Sequence, residues 1–234
     1  MSELILRGQR RQPRGSIPIG RSGPTIAADL PIEMSKSRKA SKSPGEISFR
    51  QVDAKTWRDF ESLFEGPGAP KYCWCMAWRA VGHERNSRDS KSRRSFIKRR
   101  VMDGIPIGII GYLGSKPATW CSIAPRPTYR PLGGIEDANE DPESVWSLVC
   151  FYVPRQLRGR GLAQRMISAA VEQARSRGAS VVEAYPVDPG SPSYRFMGYV
   201  SSFRAAGFEE VGRAGTRRHV MRLRLNPPNR GRPG

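Results

Sequence analysis

The stretch that decides the fold of this chain is Gln156-Leu-Arg-Gly-Arg-Gly-Leu-Ala163. An apolar and β-branched run at residues 145–153 precedes it, and this composition is typical of a buried strand. Apolar residues at helical spacing follow it and predict a helix over residues 162–177, with a buried face of Leu162, Met166, Ala169, Ala170 and Ala174. The chain therefore passes from a strand, through a short glycine and arginine loop, into a helix.

This loop has the chemistry of an anion-binding site. The first-turn N–H groups of a helix have no partner within the helix, so they can bind a phosphate. Gly159 and Gly161 let the backbone approach a ligand closely, and Arg158 and Arg160 add positive charge. No Lys-Ser/Thr pair follows, which excludes a Walker loop, and Gln164 replaces the third glycine of a dinucleotide-binding loop. From the loop alone, a second interpretation remains possible, in which the segment is a tight turn whose arginines bind no ligand.

The order of segments around the loop resembles the GCN5-related N-acetyltransferases, the GNAT family. There, a Gln/Arg-x-x-Gly-x-Gly/Ala loop binds the pyrophosphate of acetyl-CoA, and Gln156, Gly159 and Gly161 match that pattern. Residues 180–186 resemble the strand that follows in the family, and residues 197–208 resemble the next helix with its Gly-Phe exit.

The resemblance implies an α/β fold with a mixed, mostly antiparallel sheet of six or seven strands, flanked by helices and splayed at the acetyl-CoA site. It covers residues 46–225, and segments 72–78, 120–126 and 183–188 resemble a bacterial subgroup of the family. It also implies an enzyme that moves an acetyl group to a primary amine of a small molecule or protein. Transfer would be direct, in a ternary complex, with acetyl-CoA as cosubstrate and no metal.

The same resemblance implies where acetyl-CoA binds. Backbone groups of Phe151, Tyr152 and Val153 would pair with the pantetheine arm as an extra strand does. A backbone N–H near Phe151 or Tyr152 would stabilise the developing oxyanion. The pyrophosphate would be bound by the N–H groups of six consecutive residues: Arg158, Gly159, Arg160, Gly161, Leu162 and Ala163.

The catalytic acid departs from the family pattern. Many relatives carry a tyrosine four residues before the Gly-Phe glycine, which is Gly207 here, and it reprotonates the CoA thiolate. Phe203 occupies that position and cannot donate a proton. Tyr199, one turn earlier, is the candidate acid, with Ser202 and Tyr185 as substitutes.

The sequence also leaves the identity of the general base, and the presence of a nucleophile, undecided. Glu183 is the one carboxylate within a predicted core strand, so it is the candidate base, although it could equally be an outward-facing strand residue. Cys121 follows Trp120 and could lie near the reacting centre. A covalent acyl-cysteine is one interpretation, and a packed thiol is the simpler one.

Composition divides the chain into three parts. It has 234 residues and a net charge of +19. Residues 1–45 hold nine Lys/Arg against three acids and lack periodicity, which predicts a disordered basic tail. Residues 226–234 form a second predicted disordered tail, which leaves an N-acetyltransferase domain at residues 46–225.

Location and metal binding follow from what the sequence lacks. No apolar run reaches the about 20 residues that span a bilayer, and no apolar segment follows the first arginines, so we expect a cytoplasmic bacterial protein. Cys73 and Cys75 have no second Cys/His pair at zinc spacing, so no metal site is expected.

The sequence leaves several interpretations of the partners and the function open. The basic surface would aid capture of CoA. Specific nucleic-acid binding is not expected, because no known motif is present, and a homodimer is left open. Phe203 motivates a non-catalytic acyl-CoA-binding regulatory module, and an acyltransferase that uses another acyl-CoA is a further alternative.

The aromatic and thiol cluster at residues 72–78 either forms a wall of the acceptor pocket or packs in the core. The acidic run at residues 136–143 either attracts an amine or is a solvated loop.

Overall fold

The computed structural model describes residues 46–225, so both predicted tails lie outside the described residues. Within this range the chain forms the expected mixed sheet with flanking helices. No helix of the described range is long and apolar enough to cross a membrane. The elements in chain order are β1 (Ile47–Gln51), α1 (Trp57–Glu65), α2 (Ser90–Met102), β2 (Ile109–Leu113), β3 (Lys116–Pro125), β4 (Val145–Tyr152), α3 (Leu162–Ser176), β5 (Val181–Ala184), α4 (Val200–Ala205), β6 (Glu209–Ala214) and β7 (Arg218–Arg224).

The sheet has seven strands in the order β1-β2-β3-β4-β5-β7-β6. All neighbours are antiparallel except β4 and β5, which run parallel and are joined by α3. A parallel pair needs such a crossover, whereas the two-residue turn Gly114-Ser115 is enough to join β2 to β3. This arrangement confirms the predicted fold.

The sheet opens between β4 and β5. Their pairing runs from Val145 opposite Val181 to Leu148 opposite Ala184 and then stops, although β4 continues to Tyr152. The register of β4 against β3 also shifts at this point, so that Val149 has no partner in β3. The second half of β4 is therefore paired on one side only, which produces the predicted splay.

Helices cover both faces of the sheet. The buried residues of α3 recur every three or four positions, as an amphipathic helix requires. The sequence correctly indicated most of this face, but Ile167 and Val171 are also buried, while Ala169 is only half-buried. On the other face, α1 and α2 cover a core rich in aromatic rings, which includes Phe60, Phe64 and Trp120.

The basic helix α2 is tied down by charge as well as by apolar contacts. Ile97 and Val101 are buried. Its arginines are not simply solvated, because the Arg100 guanidinium pairs with Glu84 at 2.7 Å and both side chains are largely buried. This pair joins α2 to the long connection between α1 and α2.

Candidate active site

A cavity of about 970 Å³ lies where the sheet opens. Its walls come from the end of β4, the loop from β4 to α3, the first residues of α3, the connection between α1 and α2, and the segment around the start of α4. The cavity is therefore built from segments that are far apart in the chain, and the splay of β4 from β5 brings them together.

Eight of the nine residues predicted to bind acetyl-CoA line this cavity, and the exception is Arg160. The lining residues are Phe151, Tyr152, Val153, Arg158, Gly159, Gly161, Leu162 and Ala163. The structure therefore brings the predicted pantetheine strand and the predicted phosphate loop to one continuous wall.

The backbone of the loop has the form that an anion site needs. Gly159 and Gly161 have φ values of +74° and +71°, a left-handed conformation that disfavours other residues. Gly161 precedes the first turn of α3, where the N–H groups lack helical partners. The Arg158 Nε donates to the Val153 carbonyl at 2.9 Å, which holds this exposed side chain across the loop.

Glu183 does not line the cavity. It is fully buried, its carboxylate accepts a hydrogen bond from Arg222 Nε at 2.6 Å, and it also contacts the Tyr185 hydroxyl. The backbone N–H of Ile135 donates to the same carboxylate at 3.3 Å. These contacts attach the connection between β3 and β4 to β5, so the position of Glu183 fits a structural ion pair rather than the predicted base.

Cys121 also lies away from the cavity. It is fully buried in the core cluster that includes Ile109, Met166 and Val182, and burial raises the pKa of its thiol well above its ordinary value. The structure therefore gives it the position of the packed thiol rather than that of the reacting cysteine.

Phe203, which occupies the family's acid position, and the candidate acids have different surroundings. Phe203 is fully buried, packs edge-on against Phe208 and does not line the cavity. Tyr199 lines the cavity, as does Ser202. Tyr185 is fully buried beside Glu183, and burial raises the pKa of its hydroxyl well above its ordinary value. Of the candidate acids, the structure brings Tyr199 and Ser202 to the cavity.

The cluster at residues 72–78 serves both roles that the sequence left open. Trp74 and Met76 are buried in the core, whereas Tyr72, Cys73 and Trp78 line the cavity. Cys75 does both, since it is largely buried and also lines the cavity. This short segment is therefore anchored by its buried side chains and presents the others to the cavity.

Sequence patterns did not indicate the role of Arg79. Its side chain is fully buried, and one terminal nitrogen donates to the Ile107 carbonyl at 2.8 Å, to Ser122 at 3.1 Å and to the Tyr129 hydroxyl. Its guanidinium carbon lies 3.9 Å from the centroid of the Tyr129 ring. An arginine in an irregular segment carries no periodicity that marks burial, so only the folded structure could identify it.

The acidic run lies apart from the cavity. Glu136 and Asp137 line a second, shallow surface pocket beside Arg126. Glu140 instead pairs with Arg222 at 2.8 Å. Within the described residues, no carboxylate lines the larger cavity, so the run does not supply charge to that site.

Comparisons with known proteins agree with this geometry. The model of the acetyltransferase (GNAT) family matches residues 54–199. No curated protein matches the chain.

Solved structures similar to this chain have low sequence identity to it. AAC(6')-Ib in complex with Parmomycin and acetyl-CoA is 14% identical, with a TM-score of 0.50 over 76% of this chain and 93% of that chain. An N-acetyltransferase from Staphylococcus aureus Mu50 is 10% identical, with a TM-score of 0.48 over 78% and 100%. The ribosomal-protein-alanine N-acetyltransferase from Brucella melitensis is 18% identical, with a TM-score of 0.46 over 76% and 99%. At this low identity, the similarity to AAC(6')-Ib shows the fold alone.

Proposed function

Because the chain belongs to the acetyltransferase (GNAT) family and is therefore an N-acetyltransferase, we propose that it moves an acetyl group from acetyl-CoA to a primary amine. Transfer is direct, in a ternary complex in which both substrates occupy the cavity at the splay. The protein acts in the cytoplasm of a bacterium.

One observation carries this proposal. The cavity is continuous from the Gly159 and Gly161 loop, along the free side of β4, to the aromatic and thiol segment at residues 72–78. The loop offers helix N–H groups to a pyrophosphate, and the unpaired side of β4 offers backbone groups to the pantetheine arm. A donor bound in this way directs its thioester towards the opposite end of the cavity.

The chemistry at that end needs two further contributions. The thioester carbonyl gains negative charge during attack, and a backbone N–H near Phe151 or Tyr152 stabilises it. The departing CoA thiolate needs a proton, and Tyr199, at the cavity wall, donates it.

The walls also suggest the class of acceptor. Tyr72, Trp78 and Phe196 supply aromatic surface. Arg195 also lines the cavity, and its Nε donates to the Ser191 carbonyl at 2.7 Å. Because the described cavity wall carries arginine but no carboxylate, the acceptor is an amine with an apolar or aromatic body and an anionic group, rather than a polycation.

Acetyl-CoA turnover on an amine panel tests the proposal. The panel contains aromatic amino acids, short peptides, polyamines and aminoglycosides, and chromatography follows CoA release and acetylated product together. We expect turnover with the aromatic, anionic amines and little with the polycations. Binding of CoA without turnover on any acceptor would overturn the proposal and favour a non-catalytic acyl-CoA-binding module. A parallel panel of acyl-CoA donors tests the choice of acetyl group.

A further inference from the structure

The proposed reaction requires a proton acceptor that the sequence did not identify. A primary amine is mostly an ammonium ion at neutral pH, and it must lose a proton before it can attack. Neither a carboxylate nor a histidine is found among the described residues that line the cavity. The titratable groups there, apart from arginines and tyrosines, are three thiols: Cys73, Cys75 and Cys150.

Cys75 is held in an unusual backbone conformation. Its φ is +56° and that of Trp74 is +47°, so two consecutive residues with side chains adopt left-handed backbone. Each such residue costs about 1 kcal/mol or more and persists only where surrounding contacts impose it. Trp74 supplies these contacts, because its ring stacks on Phe64 and its Nε1 donates to Ser90 Oγ at 2.9 Å. In this conformation Cys75 is largely buried and lines the cavity.

The sulfur of Cys75 is surrounded by groups that favour a negative charge. Trp120 Nε1 donates to it at 3.4 Å. The Cys150 thiol and the positive charge of Arg79 are close enough to act on its ionisation. The protein therefore offers this sulfur one hydrogen-bond donor, a neighbouring thiol and a nearby cation.

The buried positive charge of Arg79 would be stabilised by a nearby negative charge. It is fully buried, but no carboxylate within the described range lies at ion-pair distance, and its Nε has no hydrogen-bond partner. A buried unpaired charge is costly. A thiolate at Cys75 would neutralise it, so the pair of residues is more stable with Cys75 ionised.

The titration of the thiols agrees with this arrangement. The neighbouring Cys150 thiol, followed by Arg79, Trp120 and Ser122, outweighs burial and lowers the pKa of Cys75 to about 6. Conversely, Cys75 and burial raise the pKa of Cys150 well above its ordinary value, and burial raises that of Cys73. The other titratable groups that sense Cys75 are Cys121 and Tyr129. Among the three thiols, Cys75 therefore loses its proton most readily.

We propose that the Cys75 thiolate is the general base of this enzyme, an assignment that rests on the proposed acetyl transfer. Cys75 takes one proton from the ammonium of the acceptor and becomes a thiol, which leaves a neutral amine. The amine lone pair then forms the C–N bond, and the C–S bond breaks with its electrons going to the CoA sulfur. Tyr199 then gives its proton to the CoA thiolate and is reprotonated by the second proton of the amine nitrogen, which leaves the neutral amide. Cys75 finally releases its proton to water.

The pH dependence of kcat/KM tests this assignment. In the wild type we expect a rise with pH centred at about pH 6, because Cys75 must be ionised. Cys75→Ser should lower kcat/KM at neutral pH by about 10²–10⁴-fold and abolish that rise. Cys75→Asp should retain more activity, with the rise moved to lower pH. Aspartate tolerates left-handed backbone and places a carboxylate near Arg79. Cys121→Ala is the matched control, since it removes a buried thiol outside the cavity.

Two measurements without an acceptor separate this idea from its alternatives. The ultraviolet absorbance of the thiolate, compared between the wild type and Cys75→Ser, should titrate at about pH 6 even if no substrate is found. Intact mass after incubation with acetyl-CoA alone should show no acetyl group on Cys75. Acetylated Cys75, or an unchanged pH profile in an active Cys75→Ser, would overturn the assignment while leaving the proposed transferase function standing. An inactive wild type would instead refute the proposed function.

Discussion

Gly161 is where the predicted pyrophosphate site can be tested most sharply. Its φ is +71°, and an added Cβ would meet no atom within 4 Å, so a small side chain has room. Asparagine and aspartate have the same shape and both tolerate left-handed backbone. Gly161→Asn and Gly161→Asp therefore carry the same steric change and differ by one negative charge.

The expected magnitude follows from the exposure of this position. Two unit charges 4 Å apart interact by about 1 kcal/mol in water and about 4 kcal/mol near a protein surface. Salt at about 0.15 M screens part of this repulsion. We expect a difference of about 1.5–2 kcal/mol, so Gly161→Asp should bind CoA about 10–30-fold more weakly than Gly161→Asn.

Isothermal titration calorimetry measures both dissociation constants. Lower salt should widen the difference between the two variants, because less of the repulsion is screened. Pantetheine, which lacks the pyrophosphate, should bind equally to both. Equal CoA affinities in two folded variants would refute the reasoning that this loop binds the pyrophosphate.

Three further predictions concern other parts of the molecule. Glu183→Gln should lower the free energy of unfolding by about 2–4 kcal/mol in urea titrations, because Arg222 loses one of its two buried partners; lost turnover at unchanged stability would restore Glu183 as the base. Tyr199→Phe should lower kcat about a hundredfold at unchanged melting temperature, and full activity would exclude Tyr199 as the acid. Burial acts to raise the pKa of Glu84, but Arg100 and a backbone N–H outweigh it and hold that pKa below its ordinary value of 4.5. The stability from this pair is therefore complete above pH 4.5 and is lost as the pH falls through the lowered pKa. Arg100→Met should weaken the dependence of the free energy of unfolding on acid pH. An unchanged dependence would contradict the pairing.

The strand and the helix on either side of the loop could be predicted from local patterns, whereas the mixed sheet and its splay were implied by the resemblance to the GNAT family. Strand composition at residues 145–153 and the helical spacing from Leu162 both appear within single segments. Burial within α3 was predicted less completely, since Ile167 and Val171 also contact the sheet. A helix in a mixed sheet buries a wider face than the first apolar positions indicate.

The catalytic groups could not be predicted in the same way. Glu183 was a reasonable candidate base as a carboxylate in a core strand, but its partner Arg222 comes from β7, 39 residues later. Phe203 occupies the family's acid position, whereas Tyr199 reaches the cavity, because the short helix α4 turns the first side chain into the core. Side-chain direction at these positions depends on packing between distant segments.

The sequence by itself predicted where this protein would bind its donor, since a phosphate loop uses backbone N–H groups and glycines that are consecutive in the chain. The tertiary structure decided which side chains line the cavity beside that loop. Cys75 belongs to an irregular segment, and its neighbours Trp120 and Cys150 come from two different strands, with the buried charge of Arg79 beside them. The charge on a side chain depends on burial and on its neighbours, and both exist only once the chain has folded.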